Sequence, residues 1–560
     1  MSAPTCAQAI VATLEALGVK RVYGLIGTSV LELFDALYER RNAIRLITTR
    51  HEQVAASMAD AEGRLTGFPG TAIVHAGPGF LNTLISVANA YKDSSPLVLI
   101  AGGVRRRLRG LDSWLEVDQA SIMAPLAKSV HTITNAQEAG RILEGAYEQA
   151  MAPPRGPVFV EVPEDVQRES YVGALGASAI SAPAAPVASP QDVERAARQL
   201  QAATRPLIIA GGGINCEEGA RLLELFVERH LIPVASTGNG RGALREDHEL
   251  CLGRVGFGGG NPVADYALAR ADVLLALGAG ISDVTTYAHT NMPRGRIISV
   301  NLDPRCEQKP PPCDLHLFAD APSFLRALYE LMGSSSYRAP AEWLSELSER
   351  RELWGAMLEQ ALAKRSGAYV NANKFFAALD ERSPSDVIVS AGQGLHILYS
   401  YAYQRIRGPR SFLAATNMGS MGFALPAALA AKLVYPAREV LAVVGDGELM
   451  MTLQDLETAV REKLGIRLIV VNDNAYGVLY ARQRVQKGGR IHGTRYGNPD
   501  FVQLAQAFGL KGIRVSADDQ IAAAIDEMFA HEGPVLVELV VDPDELPPTN
   551  LQANLAMGMA

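Results

Sequence analysis

The chain has 560 residues, 48% of them hydrophobic and 20% charged, with a formal net charge of −8. That length suits about three ordinary globular domains, and the acidic balance argues against nucleic acid as a partner. The five cysteines form no Cys-x-x-Cys pair, the N-terminus shows no signal pattern and no apolar run reaches membrane length, so a cytoplasmic protein in a reducing compartment is expected.

In chain order, the apolar runs RVYGLIG, IRLITTR, GTAIVHAG and PLVLIAGG alternate with helical patterns that begin near Ser29, Glu52 and Phe80. That βα rhythm predicts a doubly wound parallel sheet with function at the strand ends. Three features fall at those ends: Gly27-Thr28-Ser29, Arg50-His51-Glu52-Gln53, and the loop from His75 to Asn82. Glu52 stands at a helix start, a place that favours a carboxylate whether or not it does chemistry. His75 reads either as a capped structural side chain or as a proton shuttle, because its ordinary pKa lies near ~6.5. The cluster Arg105, Arg106, Arg107 and Arg109 reads as a solvated loop in so acidic a chain. The run GPVFVEVP closes a first domain, assigned to 1–169.

Residues 170–190 are rich in Ala, Ser, Pro and Gly and read as a linker. A central α/β domain over 191–335 follows, with strand signals PLIIAGG, PVAST, DVLLALG and RIISVNLD. Its Gly211-Gly212-Gly213 has the look of a nucleotide loop but lacks an acid at the right distance. After a helical stretch, AEWLSELSERRELW, a third domain is expected over 360–545 with a tail over 546–560. Its first strand, DVIVSAGQG, ends at Gly392-Gln393-Gly394.

The third domain holds the densest signal. An apolar run, VLAVV, stops at Gly445-Asp446-Gly447-Glu448; a helical pattern through Leu453, Leu456, Ala459 and Val460 follows; a second run, IRLIVV, stops at Asn472-Asp473-Asn474-Ala475-Tyr476-Gly477. Strand, helix and parallel strand would bring Asp446 and Asp473 to one sheet edge. Two carboxylates beside a glycine turn and a helix start suit a hard divalent cation carrying a diphosphate, since the ion takes oxygen ligands and glycine lets backbone approach phosphate.

These motifs resemble those of thiamine diphosphate enzymes of the acetolactate synthase, benzaldehyde lyase and benzoylformate decarboxylase group, and the resemblance spans nearly the whole chain. It implies an α/β protein of three consecutive doubly wound parallel-sheet domains: pyrimidine-binding, central and diphosphate-binding. It further implies that Asp446, Asp473 (usually Asn in that group) and the Ala475 carbonyl hold Mg2+. The diphosphate side would include Gln393, Gly394, Gly445, Gly447, Glu448, Tyr476 and Gly477. On the aminopyrimidine side, Glu52 would activate the ring, Asn82 would accompany it, and Gly419 and Met421 of the NMGSMGF segment would hold it, Met421 as the wedge between the two rings. His75, Thr28 and Ser29 match catalytic positions, and Trp114, Tyr476 and Tyr480 a substrate pocket; Lys128 matches a lysine of the synthases. The stretch from Gly278 to Val284, with Gly280 and Val284, lacks the two arginines of the flavin-binding pattern, so thiamine diphosphate and Mg2+ are expected and FAD is not.

The resemblance implies a homodimer at minimum, commonly a tetramer, acting on a small 2-oxo acid or 2-hydroxy ketone, with neither nucleic acid nor membrane as partner. The expected activity is a carboligation like that of acetolactate synthase. The alternatives are a decarboxylase like benzoylformate decarboxylase or a 2-hydroxy ketone lyase like benzaldehyde lyase. A non-catalytic nucleotide- or metal-binding protein would need Glu52 to be dispensable.

Overall fold

A computed structural model describes residues 3–173, 175–176, 184–308, 312–364, 367–551 and 555. Residues 174 and 177–183 of the expected linker, and residues 552–554 and 556–560 of the expected tail, lie outside the described residues.

The first sheet is built from β1 Arg21–Gly24, β2 Arg45–Thr48, β3 Gly70–Val74, β4 Leu97–Gly103, β5 Ser129–Thr132 and β6 Pro157–Pro163, ordered 2-1-3-4-6-5 with every pairing parallel. Strands β3, β4 and β6 are buried throughout, which matches their largely apolar, non-alternating sequences, Glu161 of β6 being the one charged residue: a parallel sheet covered on both faces has no polar side to alternate with. A second sheet contains β7 Pro206–Ala210, β8 Val234–Ser236, β9 Cys251–Arg254, β10 Val273–Leu277, β11 Arg296–Asn301 and β12 Leu315–Phe318, in the order 12-11-10-7-8-9. Read from its other edge that is 3-2-1-4-5-6, the order of dinucleotide-binding folds. The third sheet, from β13 Ile388–Ala391, β14 Phe412–Leu413, β15 Val440–Gly445, β16 Arg467–Asn472, β17 Lys511–Val515 and β18 Val535–Val540, is ordered 14-13-15-16-18-17. Position for position this repeats the first sheet. The expected fold class of three consecutive parallel α/β domains is therefore the observed one.

Six strands lie outside the expected strand signals: β5, β9, β12, β14, β17 and β18. Five of the six have at least one edge position or a mixed burial pattern, or only two residues; β18 is a buried apolar run, VLVELV, interrupted by Glu538.

The chain forms two compact units. One comprises residues 1–184 together with 417–437 and 452–464, the other the remainder. In the first unit the Ala-rich helix Ala424–Val434 packs against helix Glu52–Thr66, whose buried face includes Ala55, Ala56 and Ala59. Small side chains let two helices approach closely. In the second unit Trp343 and Trp354 of helix Ala341–Ala363 join the core beside β10 and β11, and Leu551 and Leu555 join the core of the third sheet.

The helical pattern expected after Gly447 is not one helix. The chain makes a four-residue helix, Asp446–Leu449, then a 3-10 turn Leu453–Asp455 and a short helix Leu456–Arg461. The break coincides with the passage from the second unit to the first at Thr452, where Asp455 turns inward to accept a backbone hydrogen bond from Arg50 (2.9 Å).

Candidate active site

In a 2-1-3-4 parallel sheet the chain reverses its direction of travel between the first and third strands, and the crevice at their carboxyl ends is the favoured ligand position. In the first unit that point receives Ser29, which follows β1, and His75, which follows β3. The Ser29 Oγ lies 2.8 Å from His75 Nδ1, and Ser29 also directs its backbone N–H at the same nitrogen (3.3 Å). The Ser29 hydroxyl oxygen accepts from the Ala76 N–H (2.9 Å), so its own proton points to the imidazole. With two donors aimed at Nδ1, that nitrogen must be the acceptor and Nε2 carries the proton. Burial pushes the His75 pKa down from its usual value while the Glu52 carboxylate pulls it up, with burial the larger effect. The ring is therefore neutral at pH 7, with an N–H to offer.

Glycine is required around this pair. A Cβ on Gly27 would stand 2.3 Å from the His75 ring, and one on Gly102 would stand 2.2 Å from Ser29 Oγ. Thr28, by contrast, is exposed and makes none of these bonds.

Glu52 opens helix Glu52–Thr66, where the His51 side chain caps the Gln53 N–H. The Glu52 side chain is buried, and Oε2 accepts from the Asn82 amide at 2.9 Å. Its other oxygen would lie 3.1 Å from a Cβ on Gly79, so only glycine leaves the space in front of the carboxylate free. Also in the first unit, Gly419 takes a left-handed conformation (φ 69°), Ser420 bonds Asn89 (2.7 Å), and Met421 is half-buried. Trp114 is 76% exposed, and Lys128 is spent on the backbone carbonyls of Gln149 and Ala152. The arginine cluster is solvated as expected but not idle, because Arg105, Arg106 and Arg109 pair with Glu164, Asp165, Glu169 and Glu161.

The third sheet repeats the reversal between β13 and β15. Gly392 and Gln393 follow β13, and Asp446 follows β15. The buried Glu448 carboxylate accepts the Gln393 N–H (2.9 Å) and lies 3.1 Å from His396 Nε2. Gly392 has no room for a side chain, since a Cβ would fall 1.6 Å from Glu448 Oε2.

Parallel pairing of Gly445 with Val471 places Asp446 and Asp473 at one edge. Both are buried, and among the described residues neither has a lysine or arginine partner at ion-pair distance. Asp446 accepts from the Gly447 N–H (2.8 Å), the Tyr496 hydroxyl (3.0 Å) and the Asn498 amide (2.7 Å). Asp473 accepts from the Ala475 N–H (3.0 Å), and Gly477 is glycine because a Cβ there would meet Asp473 Oδ2 at 2.4 Å. Asn474 between them is left-handed (φ 53°), a conformation asparagine tolerates better than most residues. Burial raises the pKa of Asp446, and burial together with the Asp446 charge pushes Asp473 up to about 7. Tyr476 packs edge-on against Tyr496 (4.9 Å between centroids) beside Gly447, while the Tyr480 hydroxyl bonds Asp544 (3.0 Å).

Tyr496, Asn498, His396, Gln119 and Asp455 are absent from the sequence-based set. Gln119 accepts the Gly77 N–H (3.1 Å) and donates to the Gly102 carbonyl (2.9 Å), tying the His75 loop to the end of β4 that backs Ser29. A linear cue exists only for Tyr496 and Asn498, the turn signal GNPD over residues 497–500.

Gly211 and Gly213 in the central domain serve close backbone packing. Their N–H groups bond the Leu277 and Gly278 carbonyls (3.0 Å each), and a Cβ on Gly211 would lie 2.2 Å from the Gly278 oxygen.

Three domain matches run in order along the chain. Residues 4–122 match the thiamine pyrophosphate enzyme N-terminal TPP binding domain, 193–328 the thiamine pyrophosphate enzyme central domain, and 392–539 the thiamine pyrophosphate enzyme C-terminal TPP binding domain. The chain belongs to the thiamine pyrophosphate enzyme family. Within it, the chain is 31% identical over 551 residues to a probable acetolactate synthase large subunit of Methanocaldococcus jannaschii, covering 97% of this chain and 93% of the relative. It is 30% identical over 538 residues to the acetolactate synthase isozyme 2 large subunit of Escherichia coli K12 (96% and 95% covered). With the acetolactate synthase large subunit of Corynebacterium glutamicum the identity is 32% over 550 residues (96% and 87% covered).

Proposed function

We propose that the protein is a thiamine diphosphate- and Mg2+-dependent carboligase of the acetolactate synthase type, which decarboxylates one 2-oxo acid and joins the remaining acyl fragment to the carbonyl carbon of a second molecule. The observation that supports it best is the buried Asp446–Asp473 pair, which among the described residues has no lysine or arginine at ion-pair distance, in a chain similar to acetolactate synthase large subunits over nearly its full length. Two carboxylates and a backbone carbonyl are a hard, all-oxygen donor set with excess negative charge, which fits a magnesium ion. Asp446, Asp473 and the Ala475 carbonyl would hold the cation. The Gly392–Gly394 turn, Gly445, Gly447, Tyr476 and Gly477 would border the diphosphate, with Glu448 shaping the turn through the Gln393 N–H. In the other unit Glu52, Asn82, Gly419 and Met421 would serve the aminopyrimidine.

When bound, thiamine diphosphate supplies a cationic ring that takes up the electron pair left at a carbonyl carbon as carbon dioxide departs. Glu52 would exchange a proton with the aminopyrimidine ring nitrogen, and Asn82 holds the second carboxylate oxygen so that one remains free. His75 would offer its Nε2 proton to a substrate oxygen, with Ser29 fixing the tautomer. The central domain, without arginines at Gly280 and Val284, is assigned no FAD. A homodimer is the proposed minimum unit, with a tetramer as the fuller assembly. Its support is the exposed apolar surface beside the site residues: Ile26, Leu31 and Trp114 in the first unit, and Met450, Met451 and Leu479 in the second. The domain boundaries proposed for this assembly remain 1–169, 191–335 and 360–545.

The Ser29–His75 hydrogen bond also favours a second reading, a 2-oxo acid decarboxylase in which the acyl fragment is protonated and leaves as an aldehyde. Incubating the protein with thiamine diphosphate, Mg2+ and a panel of 2-oxo acids separates the readings. Carbon dioxide with a branched 2-hydroxy-3-oxo acid is the expected outcome. Carbon dioxide with an aldehyde alone would replace the carboligase by the decarboxylase, and no turnover of any 2-oxo acid would favour a 2-hydroxy ketone lyase.

A further inference from the structure

After helix Gly477–Gln486 the chain returns across the Asp446–Asp473 edge. Residues 494–498 are pinned there by backbone bonds: the Tyr476 N–H donates to the Thr494 carbonyl (2.9 Å), the Tyr496 N–H to the Asn474 carbonyl (3.3 Å), and Arg495 forms an antiparallel bridge with Ala475. Two side chains of this segment face the site. The Tyr496 hydroxyl lies 3.0 Å from Asp446 Oδ1 and 2.9 Å from the Ala475 carbonyl oxygen. The Asn498 amide nitrogen lies 2.7 Å from Asp446 Oδ2, 3.0 Å from Asn472 Oδ1 and 3.2 Å from Asn474 Oδ1. All three Asn498 partners are acceptors, which requires the NH2 end of the amide to face them.

A phenol has one proton and a carboxamide two, so three side-chain protons face five acceptor oxygens; the Gly447 N–H reaches Asp446 Oδ1 as well (2.8 Å) and the Asn474 N–H reaches Asn472 Oδ1 (3.3 Å), whereas the Ala475 carbonyl shares the single Tyr496 proton with Asp446. Asp446 Oδ1 and the Ala475 carbonyl are two of the oxygens assigned above to the cation. One hydroxyl reaches both, so it holds them on the same side, and Asn498 holds the remaining Asp446 oxygen. Neither Asp446 oxygen is free to rotate away.

We propose that Tyr496 and Asn498 form the outer layer of the cation site, positioning Asp446 and the Ala475 carbonyl so that both oxygens meet the ion already oriented. The inference rests on the reading of Asp446, Asp473 and Ala475 as cation ligands. Outer-shell partners of this kind are worth about 10–100-fold in metal affinity.

The test uses Mn2+ as a spin-active substitute for Mg2+. Free Mn2+ is measured by electron paramagnetic resonance as the full-length protein is titrated in the presence of thiamine diphosphate, for the wild type, Tyr496→Phe, Asn498→Ala and Asp446→Ala. Thermal unfolding without metal is recorded in parallel. Tyr496→Phe and Asn498→Ala are each expected to weaken Mn2+ binding by about 10–100-fold while leaving the metal-free unfolding midpoint close to that of the wild type. If Asn498→Ala does not fold, Tyr496→Phe, which removes one oxygen, decides alone. Unchanged Mn2+ affinity in the variants, with binding abolished in Asp446→Ala, overturns the outer-layer role and leaves the ligand reading intact. Retention of Mn2+ by Asp446→Ala overturns the ligand reading itself, and this inference with it.

Discussion

Asp455 is a carboxylate with no solvent exposure whose Oδ1 accepts from the Arg50 N–H at 2.9 Å and from the Thr458 hydroxyl at 2.8 Å, two residues ahead of Glu52 in the first case. Burial pushes its pKa up to about 6. An aspartate in the unfolded chain has a pKa near ~3.9. Between these values the folded protein keeps a proton that the unfolded chain has released, so the stability Asp455 contributes is complete below about pH 4 and is lost as pH rises through about 6. Two pKa units correspond to about 3 kcal/mol. Asp455→Asn should flatten this part of the pH dependence: the difference in thermal midpoint between variant and wild type should move in the variant's favour from pH 4 to pH 6 and stay level above it. A difference independent of pH would show that Asp455 does not titrate in that window. For Glu52, Glu52→Gln should still bind thiamine diphosphate but exchange its C2 proton about 10²-fold more slowly or worse, as read by NMR in deuterium oxide, because the amide cannot exchange a proton with the ring. His75→Ala should lower turnover of the accepted substrate by about 10²-fold with cofactor affinity unchanged; unchanged turnover would make His75 structural and remove the support for the decarboxylase reading. Glu52, His75, Asp446 and Asp473 were legible because each closes an apolar run, where strand ends are expected. Asp455, Tyr496 and Asn498 were not, because they act through contacts with residues 405, 50 and 52 positions away in sequence, and no local period records such a return.

At the scale of elements, the helix that presents Glu52 lies against its neighbouring strands with no space to spare. A Cβ on Gly70, at the start of β3, would stand 1.9 Å from the Ala59 carbonyl oxygen, and one on Gly63 would stand 2.1 Å from the Pro96 oxygen. Backbone cannot rotate aside as a side chain can. Gly70→Ala should therefore displace helix Glu52–Thr66, costing about 1–3 kcal/mol or more and weakening thiamine diphosphate binding in calorimetry. Gly145, inside helix Ala139–Met151, meets nothing within 4 Å, and Gly145→Ala should raise stability by about 0.5–1 kcal/mol. If the two variants behaved alike, the contrast between close approach and open space would be wrong. Buried strands such as β3, β4, β15 and β16 were readable from their apolar runs. The expected single helix after Gly447 was not, since its apolar spacing continued past the point where the backbone broke to let Asp455 turn inward.

For the whole molecule, the first and third sheets share one strand order and use the same topological point, between their first and third strands, for different side chains: Ser29 and His75 in one, the Gly392 turn and Asp446 in the other. The proposed homodimer is tested by supposing that each site takes one such half from each subunit. Equal amounts of Glu52→Gln and Asp446→Ala, mixed under conditions that let subunits exchange, should then recover up to about a quarter of wild-type activity, because random pairing makes half the dimers hybrids with one intact site of two. Activity no greater than the sum of the separate variants would argue against shared sites. The α/β class and the three-domain order followed from the alternation of runs and helices. That residues 417–437 and 452–464 join the first unit did not, because sequence neighbours usually pack together and these segments do not.

That discontinuity has a consequence for synthesis. Helix Ala424–Val434, which covers the alanine face of helix Glu52–Thr66, leaves the ribosome some 240 residues after the first unit's longest segment, which ends at Ala184. At translation rates of about 5–20 residues per second, the nascent chain carries that face uncovered for on the order of 10–50 s. An apolar face left open in this way is a place where nascent chains aggregate, so that interval of translation is one in which a chaperone would protect the protein.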